Sequence, residues 1–347
     1  MRSTLRLTVL LTLLAGACGN SDGDGNHPPD AAVPPDPVDV TGPLGRIDFE
    51  YSHALTSWNP DGGATTYTLA AGELPAGLTL DALGSVTGIP IRSGHYEAEI
   101  WIEGDCGNLS CRQVVNLDID VAPIILLSGY GPFEGVEVNP SWGAVAPLDA
   151  TLIGGYDVRA IEVPVLWDEA PAMFLAEYVR LRPPIAIGSG VAMGELFIRL
   201  ESTAANFASG EDIDGNVKHG GPIDIDEPDE LSSTLPLADL LELLEQHGFP
   251  VAISDNAGAY LCNYLFFKIM QRLSLELPGT NIIGGFVHVP GEDVVSVPEM
   301  TEAWVLMLEY LVSYHQSLQQ KLRRAGDRPY AATVHHAPRY LRPGAYR

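Results

Sequence analysis

Short, uninterrupted apolar runs in the second half of the chain constrain its fold more than any other feature. These runs occupy residues 124–127, 158–163, 185–187, 251–253 and 282–289. Stretches with helical periodicity lie between and after them, at residues 169–180, 237–247, 259–273 and 301–324. Strands that are apolar on both faces and alternate with helices are typical of parallel sheets. The sequence therefore predicts an α/β domain over residues 123–326, with an open, mostly parallel sheet and helices on both faces.

Residues 43–122 show a different pattern, in which apolar and polar positions alternate, as at 96–103, and turn residues recur about every ten positions. This pattern predicts a small all-β sandwich. Residues 74–104, LPAGLTLDALGSVTGIPIRSGHYEAEIWIEG, resemble the immunoglobulin-like domains of bacterial surface proteins. Such domains act as spacers or adhesion units, and the scarcity of clustered aromatic residues favours a spacer.

The amino terminus has the pattern of a secretory signal peptide. Arg2 and Arg6 precede an apolar run at 7–14, which is too short to span a membrane as a helix. The small residues Ala15-Gly16-Ala17 before Cys18 resemble a bacterial lipobox. We expect residues 1–18 to be the signal and Cys18 to carry a lipid; ordinary cleavage nearby is the alternative. Either route places the mature chain outside the cytoplasm, as an envelope protein of the periplasm or cell surface, tethered to a membrane.

Two further segments are predicted to lack a packed core. Residues 19–42 are rich in Pro and Asp and contain too few large apolar side chains to offset the entropy of ordering. We interpret them as a disordered tether. Residues 327–347, rich in Arg, Tyr, Pro and His, are predicted to form a loosely ordered tail.

Charge and cysteine content exclude some functions. The formal net charge of -26 repels phosphate backbones, so nucleic acid is not an expected partner. Cys106 and Cys111 stand five positions apart, and export favours a disulfide between them over the alternative of a metal-binding pair. Cys262 then has no partner. An unpaired thiol is either an inert packing residue or a reactive group.

The context of Cys262 favours a position near the start of a helix. The segment SDNAGAYLCNYLFFKIM (254–270) follows an apolar strand, and Ser254 and Asn256 are candidates for capping the helix. The positive end of a helix dipole favours a thiolate over a thiol there. Cys262 is accordingly a candidate nucleophile, and a small packing residue against the sheet is the alternative.

Two other residues can serve such a nucleophile. His288 ends the apolar run at 282–289, at the sheet edge where α/β proteins form their sites, and could act as a general base. Glu201 lies in a mainly apolar segment after the predicted loop 188–190. Its carboxylate needs a partner: it either orients the imidazole of His288 or pairs with an arginine for structural reasons.

Four motifs resemble those of the pyroglutamyl peptidase I family, in the family's order. They are ILLSGYGPFEGVEVNPSW (125–142), IRLESTAAN (198–206), SDNAGAYLCNYLFF (254–267) and GGFVHVP (284–290). The resemblance covers residues 124–324. It implies a cysteine exopeptidase, an omega peptidase that removes N-terminal pyroglutamate from small peptides with a triad of Cys262, His288 and Glu201. It implies no cofactor and no metal, and it makes a homo-oligomer a candidate assembly.

The resemblance also assigns a substrate pocket and shows where the chain departs from the family. Tyr130, Phe133, Asn139 and Val191 map to the pocket for the lactam ring; Tyr130 replaces the usual phenylalanine and Val191 a glutamine. Three positions where the family has arginine are occupied here by Glu195, Ser202 and Glu211. These changes leave two alternatives: a catalytically impaired envelope binding protein, and a cysteine amidase for another blocked N-terminus.

Overall fold

The computed structural model describes residues 36–56, 64–106, 109–133, 135–276 and 280–325. The predicted signal peptide, the lipidation site Cys18 and the tail at 327–347 lie outside these residues, as do the side chains of residues 105–111. Among the residues described, no helix combines the length and apolar character needed to cross a membrane.

The amino-terminal part is a β-sandwich, as predicted. Within its described residues, one sheet has the order β1-β7-β6-β3 and the other the order β2-β5-β4. Their strands are β1 (Val38–Thr41), β2 (Tyr51–Ala54), β3 (Thr65–Gly72), β4 (Leu78–Leu80), β5 (Ser85–Gly88), β6 (Gly94–Cys106) and β7 (Leu109–Val121). The alternation seen in the sequence places Val86, Ile100 and Leu117 in the core, each fully buried.

The boundary between tether and sandwich differs from the prediction. Residues 38–41 were assigned to the disordered tether, but they form β1, which pairs in parallel with β7 from Val38 opposite Val115. The alternation of apolar and polar residues at 38–41 is only four residues long and lies in a Pro- and Asp-rich segment, so it gave no clear strand signal. Its ladder hydrogen bonds come from the neighbouring strand β7. The tether prediction therefore applies at most up to residue 37.

The predicted disulfide lies at the tip of the β6–β7 hairpin. The backbone of Cys106 pairs with Leu109, and that of Cys111 pairs with Gly104. The two cysteines thus stand on adjacent strands near the turn. Their side chains lie outside the described residues, so the disulfide stays a prediction.

The carboxyl-terminal part is the α/β domain that the apolar runs predict. Its central sheet has the order β17-β12-β18-β11-β8-β10-β9 in the described chain. The strands of this sheet are β8 (Ile124–Tyr130), β9 (Leu152–Ile153), β10 (Tyr156–Val163), β11 (Ile185–Val191), β12 (Ile198–Glu201), β17 (Val251–Ser254) and β18 (Ile283–Val289). Four short strands form two outlying pairs, β13 (Thr203–Ala205) with β16 (Glu230–Ser232) and β14 (Ala208–Glu211) with β15 (Val217–Gly221). Neighbours in the central sheet run parallel except at β12–β18 and β9–β10.

Helices cover both faces of this sheet. They are α1 (Pro140–Val145), α2 (Glu169–Leu181), α3 (Leu237–Gln246), α4 (Leu261–Ser274) and α5 (Val297–Ala325). One buried cluster joins α2 and α4 to one face of the sheet, and a second joins α1, α3 and α5 to the other. The four predicted helices are present; α1 was not predicted, because Pro140 and Gly143 disguise its six residues.

The predicted loop at residues 188–190 was wrong, because these residues belong to the buried strand β11. Glycine is a weak strand former, which made the segment read as a loop. The two glycines have a packing reason here: a Cβ on Gly188 would lie 2.7 Å from the ring of Phe286. Glycine in a strand often marks such a close approach.

The two parts of the chain are joined closely. β7 leads into β8 through Ala122 and Pro123, and the amide of Asp157 donates to the carbonyl of Pro123 at 2.8 Å. The guanidinium of Arg46 pairs with the carboxylate of Asp157, whose side chain is 1% exposed, and donates to the carbonyl of Ala150 at 2.6 Å. A buried carboxylate therefore anchors the sandwich to the first strands of the α/β sheet.

We predict that Arg46→Met lowers the free energy of unfolding by about 3 kcal/mol, because it leaves the buried Asp157 carboxylate without its cation. Urea unfolding of the full chain measures this change. The control is Arg112→Met, which removes an exposed pair with Glu103 on the same sandwich and should cost under about 1 kcal/mol. Equal losses for the two variants would contradict the anchoring role of Arg46.

Candidate active site

Cys262 is the second residue of α4, as the sequence predicted, and it is half-buried. The first amide groups of a helix have no partner within the helix and carry its positive dipole end. Ser254 and Asn256 do not cap α4, however: Tyr260 is the N-cap and has no side-chain capping bond. Instead, the Oγ of Ser254 accepts from the amide of Asn256 (3.2 Å), and the Oδ1 of Asn256 accepts from the amide of Gly258 (3.0 Å). These bonds shape the turn that delivers Cys262.

The thiol of Cys262 lies directly over strand β11. A Cβ built on Gly190 would lie 2.7 Å from the Sγ of Cys262, which is closer than real Cβ contacts come. Glycine at this position therefore leaves the space that the thiol occupies. The requirement is steric only, because Gly190 is not among the residues with positive φ.

His288 and Glu201 form a buried pair beside the thiol. The Nδ1 of His288 lies 2.8 Å from the Oε1 of Glu201, and their side chains are 5% and 0% exposed. The thiol of Cys262 lies close to this pair: it lies over Gly190, the partner of His288 in the β11–β18 register, and its charge acts on the pKa of His288. Since Nδ1 faces the carboxylate, Nε2 is the nitrogen left for the thiol. The structure thus brings together the three residues that the sequence singled out for catalysis.

The surroundings of His288 favour the imidazolium. Burial acts to lower the pKa of His288, but the negative charge and hydrogen bonds of Cys262 and Glu201 outweigh it and raise the pKa to about 9. A protonated imidazole next to a thiolate is the charge state that a cysteine nucleophile requires. The arrangement therefore supplies the imidazolium that such a nucleophile needs beside it.

Tyr130, predicted to contact substrate, lies beneath the start of α4. Its side chain is almost fully buried, and its hydroxyl donates to the carbonyl of Leu261 at 2.7 Å. Burial and the charge of Cys262 raise the pKa of Tyr130, so the hydroxyl stays a donor. Tyrosine in place of phenylalanine therefore gives an extra bond to the residue that precedes Cys262.

The other predicted pocket residues divide between the two faces of the sheet. Phe133 is half-buried and packs with the same cluster as Cys262, whereas Val191 packs against the cluster on the opposite face. Asn139 is buried as the N-cap of α1: its Oδ1 accepts from the amide and hydroxyl of Ser141, and its Nδ2 donates to the carbonyl of Gly131. Asn139 thus holds the loop on which Phe133 lies.

Ser202, Glu211 and Glu195, where the resemblance predicts arginine, each make a contact near the site. The hydroxyl of Ser202 donates to the carbonyl of Ser254 at 3.0 Å. Glu211 is exposed, and its carbonyl accepts from the hydroxyl of Tyr260 at 2.6 Å. The carboxylate of Glu195 pairs with Arg199 at 3.0 Å.

Arg199 is a site residue that the sequence reasoning missed. It contacts Glu201 as well as Glu195, so Glu201 has both of the partners that were considered for it, a histidine and an arginine. The signal was present in the spacing: residues two apart on a strand share a face, and Arg199 precedes Glu201 by two. A segment regarded as mainly apolar concealed this alternation.

In the described portion of the chain, the group of side chains arranged closely enough to hold a metal ion is His95, Glu97 and Asp118, on the surface of the sandwich. That group has no contact with Cys262 in the described structure.

A half-buried thiol at a helix start, next to a histidine that binds a buried carboxylate, is typical of cysteine hydrolases. The family model described as pyroglutamyl peptidase matches residues 124–312, more than half of the chain. The chain therefore belongs to the pyroglutamyl peptidase family. A model of an Ig domain family matches residues 32–104.

Individual relatives agree with the family match. The pyrrolidone-carboxylate peptidase of Halalkalibacterium halodurans is 34% identical over 199 residues, which are 54% of this chain and 98% of the relative. The enzyme of the same name from Klebsiella pneumoniae is 31% identical over 210 residues, 57% of this chain and 96% of the relative.

Among solved structures, pyroglutamyl peptidase I of Bacillus amyloliquefaciens aligns with a TM-score of 0.51 and 30% identity, over 54% of this chain and 95% of that one. The pyrrolidone carboxyl peptidase of Thermococcus litoralis aligns with a TM-score of 0.54 and 27% identity, over 56% and 96% of the two chains. These similarities support the α/β fold and a hydrolase of the peptidase class.

The steric role of Gly190 yields a prediction. In Gly190→Ala the new methyl group must displace the thiol of Cys262, so we expect alkylation of Cys262 by iodoacetamide at pH 6.5 to slow by roughly tenfold or more. Mass spectrometry of the Cys262 peptide measures the rate. Gly221→Ala is the matched control, since a Cβ there has no neighbour within 4 Å. Similar rates for both variants would show that β11 does not fix the thiol.

Proposed function

We propose that the chain is a cysteine omega peptidase that removes N-terminal pyroglutamate from peptides, with Cys262 as nucleophile, His288 as general acid and base, and Glu201 as the residue that orients His288. The observation that carries this proposal is the close arrangement of thiol, imidazole and buried carboxylate, in which the imidazole lies 2.8 Å from the carboxylate and the thiol lies over Gly190, opposite His288 in the sheet. The family relationship supports the choice of substrate.

The first half of the reaction would form a thioester. The Sγ of Cys262 attacks the carbonyl carbon of the pyroglutamyl residue, and the carbonyl oxygen gains the negative charge. Amide groups in the first turn of α4, which have no partner within the helix, would stabilise this charge. When the tetrahedral intermediate collapses, Nε2 of His288 gives its proton to the departing amine, and the shortened peptide leaves.

The second half would regenerate the thiol. Neutral His288 takes a proton from water as the water oxygen attacks the thioester carbon. Collapse breaks the carbon–sulfur bond and releases pyroglutamate. It leaves the thiolate of Cys262 next to the imidazolium of His288, which keeps the proton taken from water. Glu201 accepts the Nδ1–H throughout, so that Nε2 stays directed at the sulfur.

We also propose that this peptidase works in the cell envelope. The signal pattern at residues 1–18, the lipobox-like residues before Cys18 and the Pro- and Asp-rich segment up to residue 37 support this location, and export would permit the disulfide between Cys106 and Cys111. The lactam would be held by the surface around Phe133, near the start of α4. The sandwich would act as a spacer between the lipid and the enzyme.

Hydrolysis can be tested directly with the full chain in mild detergent. We predict release of a fluorescent amine from its pyroglutamyl amide, and a fall of roughly 10⁴-fold or more in Cys262→Ala. The prolyl amide of the same amine, which has a similar ring without the lactam carbonyl, should turn over far more slowly. Turnover no faster than that of Cys262→Ala would rule out the proposal. Faster turnover of another blocked amide would instead indicate the amidase alternative.

The raised pKa of His288 predicts the alkaline limit of the reaction. Because the imidazolium donates a proton to the leaving amine, kcat/KM should fall as pH rises through about 9. Glu201→Gln removes one of the groups that raise this pKa, so the alkaline limb should move to lower pH by roughly one unit, with kcat/KM reduced by roughly 10²- to 10⁴-fold.

The matched control for that experiment is Glu103→Gln, which removes an exposed carboxylate on the sandwich. Its pH profile should coincide with that of the unmodified chain. An alkaline limb in Glu201→Gln that stays where it is in the unmodified chain would contradict the assigned role of Glu201.

A further inference from the structure

Arg199 stands in the sheet next to the residues proposed for catalysis. It lies in β12, directly opposite His288 of the antiparallel neighbour β18. Glu201 follows two positions later in the same strand, so all three side chains project from one face of the sheet. This is the face on which α4 carries Cys262.

The guanidinium of Arg199 is engaged at each nitrogen. Nε lies 3.2 Å from the Oε1 of Glu201, and one terminal nitrogen donates to the Oε1 of Glu195 at 3.0 Å. The other terminal nitrogen donates to the Oγ of Ser254 at 2.6 Å and, through a very short bond, to the carbonyl of Asn256. The side chain is only 18% exposed. Such a fork fixes its partners in direction as well as in distance.

These contacts join two parts of the site that the chain itself separates. Glu201 belongs to the sheet and holds His288. Ser254 and Asn256 begin the turn that leads from β17 into α4 and Cys262. Arg199 connects the two, so Glu201 and the turn that precedes Cys262 are attached to one rigid group.

Arg199 also compensates negative charge in the site. A thiolate at Cys262 and a carboxylate at Glu201 put two negative charges in a buried region that contains one imidazolium. Glu201 is fully buried, and its Oε2 accepts no hydrogen bond within the described structure. Buried carboxylates are costly unless they are paired. Arg199 supplies the second positive charge.

We propose that Arg199 is a positioning residue of this active site, which holds the Glu201 carboxylate and the turn at 254–258 in the geometry that aligns His288 with Cys262. The inference rests on the proposed function for its effect on turnover. Its effect on the reactivity of the thiol is independent of any substrate.

Two variants separate charge from geometry in the full chain. Arg199→Met removes both, and we expect kcat to fall by roughly 10- to 100-fold while KM changes by less than about threefold. Removing a cation favours the protonated form of every neighbouring group, so both limbs of the pH–rate profile should move to higher pH. Arg199→Lys retains the positive charge but not the divergent hydrogen bonds of the guanidinium. In this variant kcat should fall, and both limbs of the pH–rate profile should stay where they are in the unmodified chain.

Alkylation distinguishes failure of this inference from failure of the proposed function. Arg199→Met should slow the reaction of Cys262 with iodoacetamide at pH 6.5 by roughly tenfold, whether or not pyroglutamyl peptides are cleaved. Arg112→Met, which removes an exposed cation from the sandwich, should react like the unmodified chain. Circular dichroism establishes that each variant is folded.

The inference is overturned if folded Arg199→Met retains the alkylation rate and pH dependence of the unmodified chain. If that variant does not fold, Arg199→Lys decides. A lysine variant with unchanged alkylation rate and kcat would show that the fork does not position the site. A slower lysine variant with unmoved pH limbs supports the positioning role.

Discussion

The proposed active site depends on the antiparallel register of β12 against β18. Arg199 stands opposite His288 in this register, and Glu201 stands opposite Phe286, so the carboxylate reaches the histidine diagonally. A shift by one residue would turn Glu201 to the other face of the sheet, into the apolar cluster that contains Leu200. The buried side chains on both faces of β12 hold this register, because each alternative exposes apolar surface or buries an unpaired charge.

Charge also limits which residues can lie next to the proposed triad of Cys262, His288 and Glu201. The resemblance predicts arginine at the positions of Glu195, Ser202 and Glu211, and Arg199 brings a guanidinium to Glu201 from two residues earlier on the same strand face. Glu195 is the outer partner of that guanidinium. The charges of Glu195 and Arg199 are therefore complementary in this chain, and a carboxylate at position 195 is compatible with an ordered site.

Much of the fold could be predicted from the sequence, because apolar runs and helical periodicity report burial directly. Cys262 could be placed at a helix start for the same reason, since strand, turn and helix follow one another locally. The contact of Arg199 with Glu201 had a local signal in the spacing, but its contacts with Ser254 and Asn256, and that of the Tyr130 hydroxyl with Leu261, could not be predicted. Each joins elements distant in sequence, and the direction of β12 in the sheet has no local signal. The strand β1 was missed because its partner β7 supplies the stabilisation.

The parallel direction of the main strands also determines how the sandwich relates to the site. Arg46 and Pro123 bind near the amino ends of β8 and β10, at Asp157. His288 lies near the carboxyl end of β18, which has seven residues and therefore spans roughly 20 Å. β8 and β18 both run parallel to β11, so their carboxyl ends share one edge of the sheet. The sandwich thus attaches at the edge opposite His288.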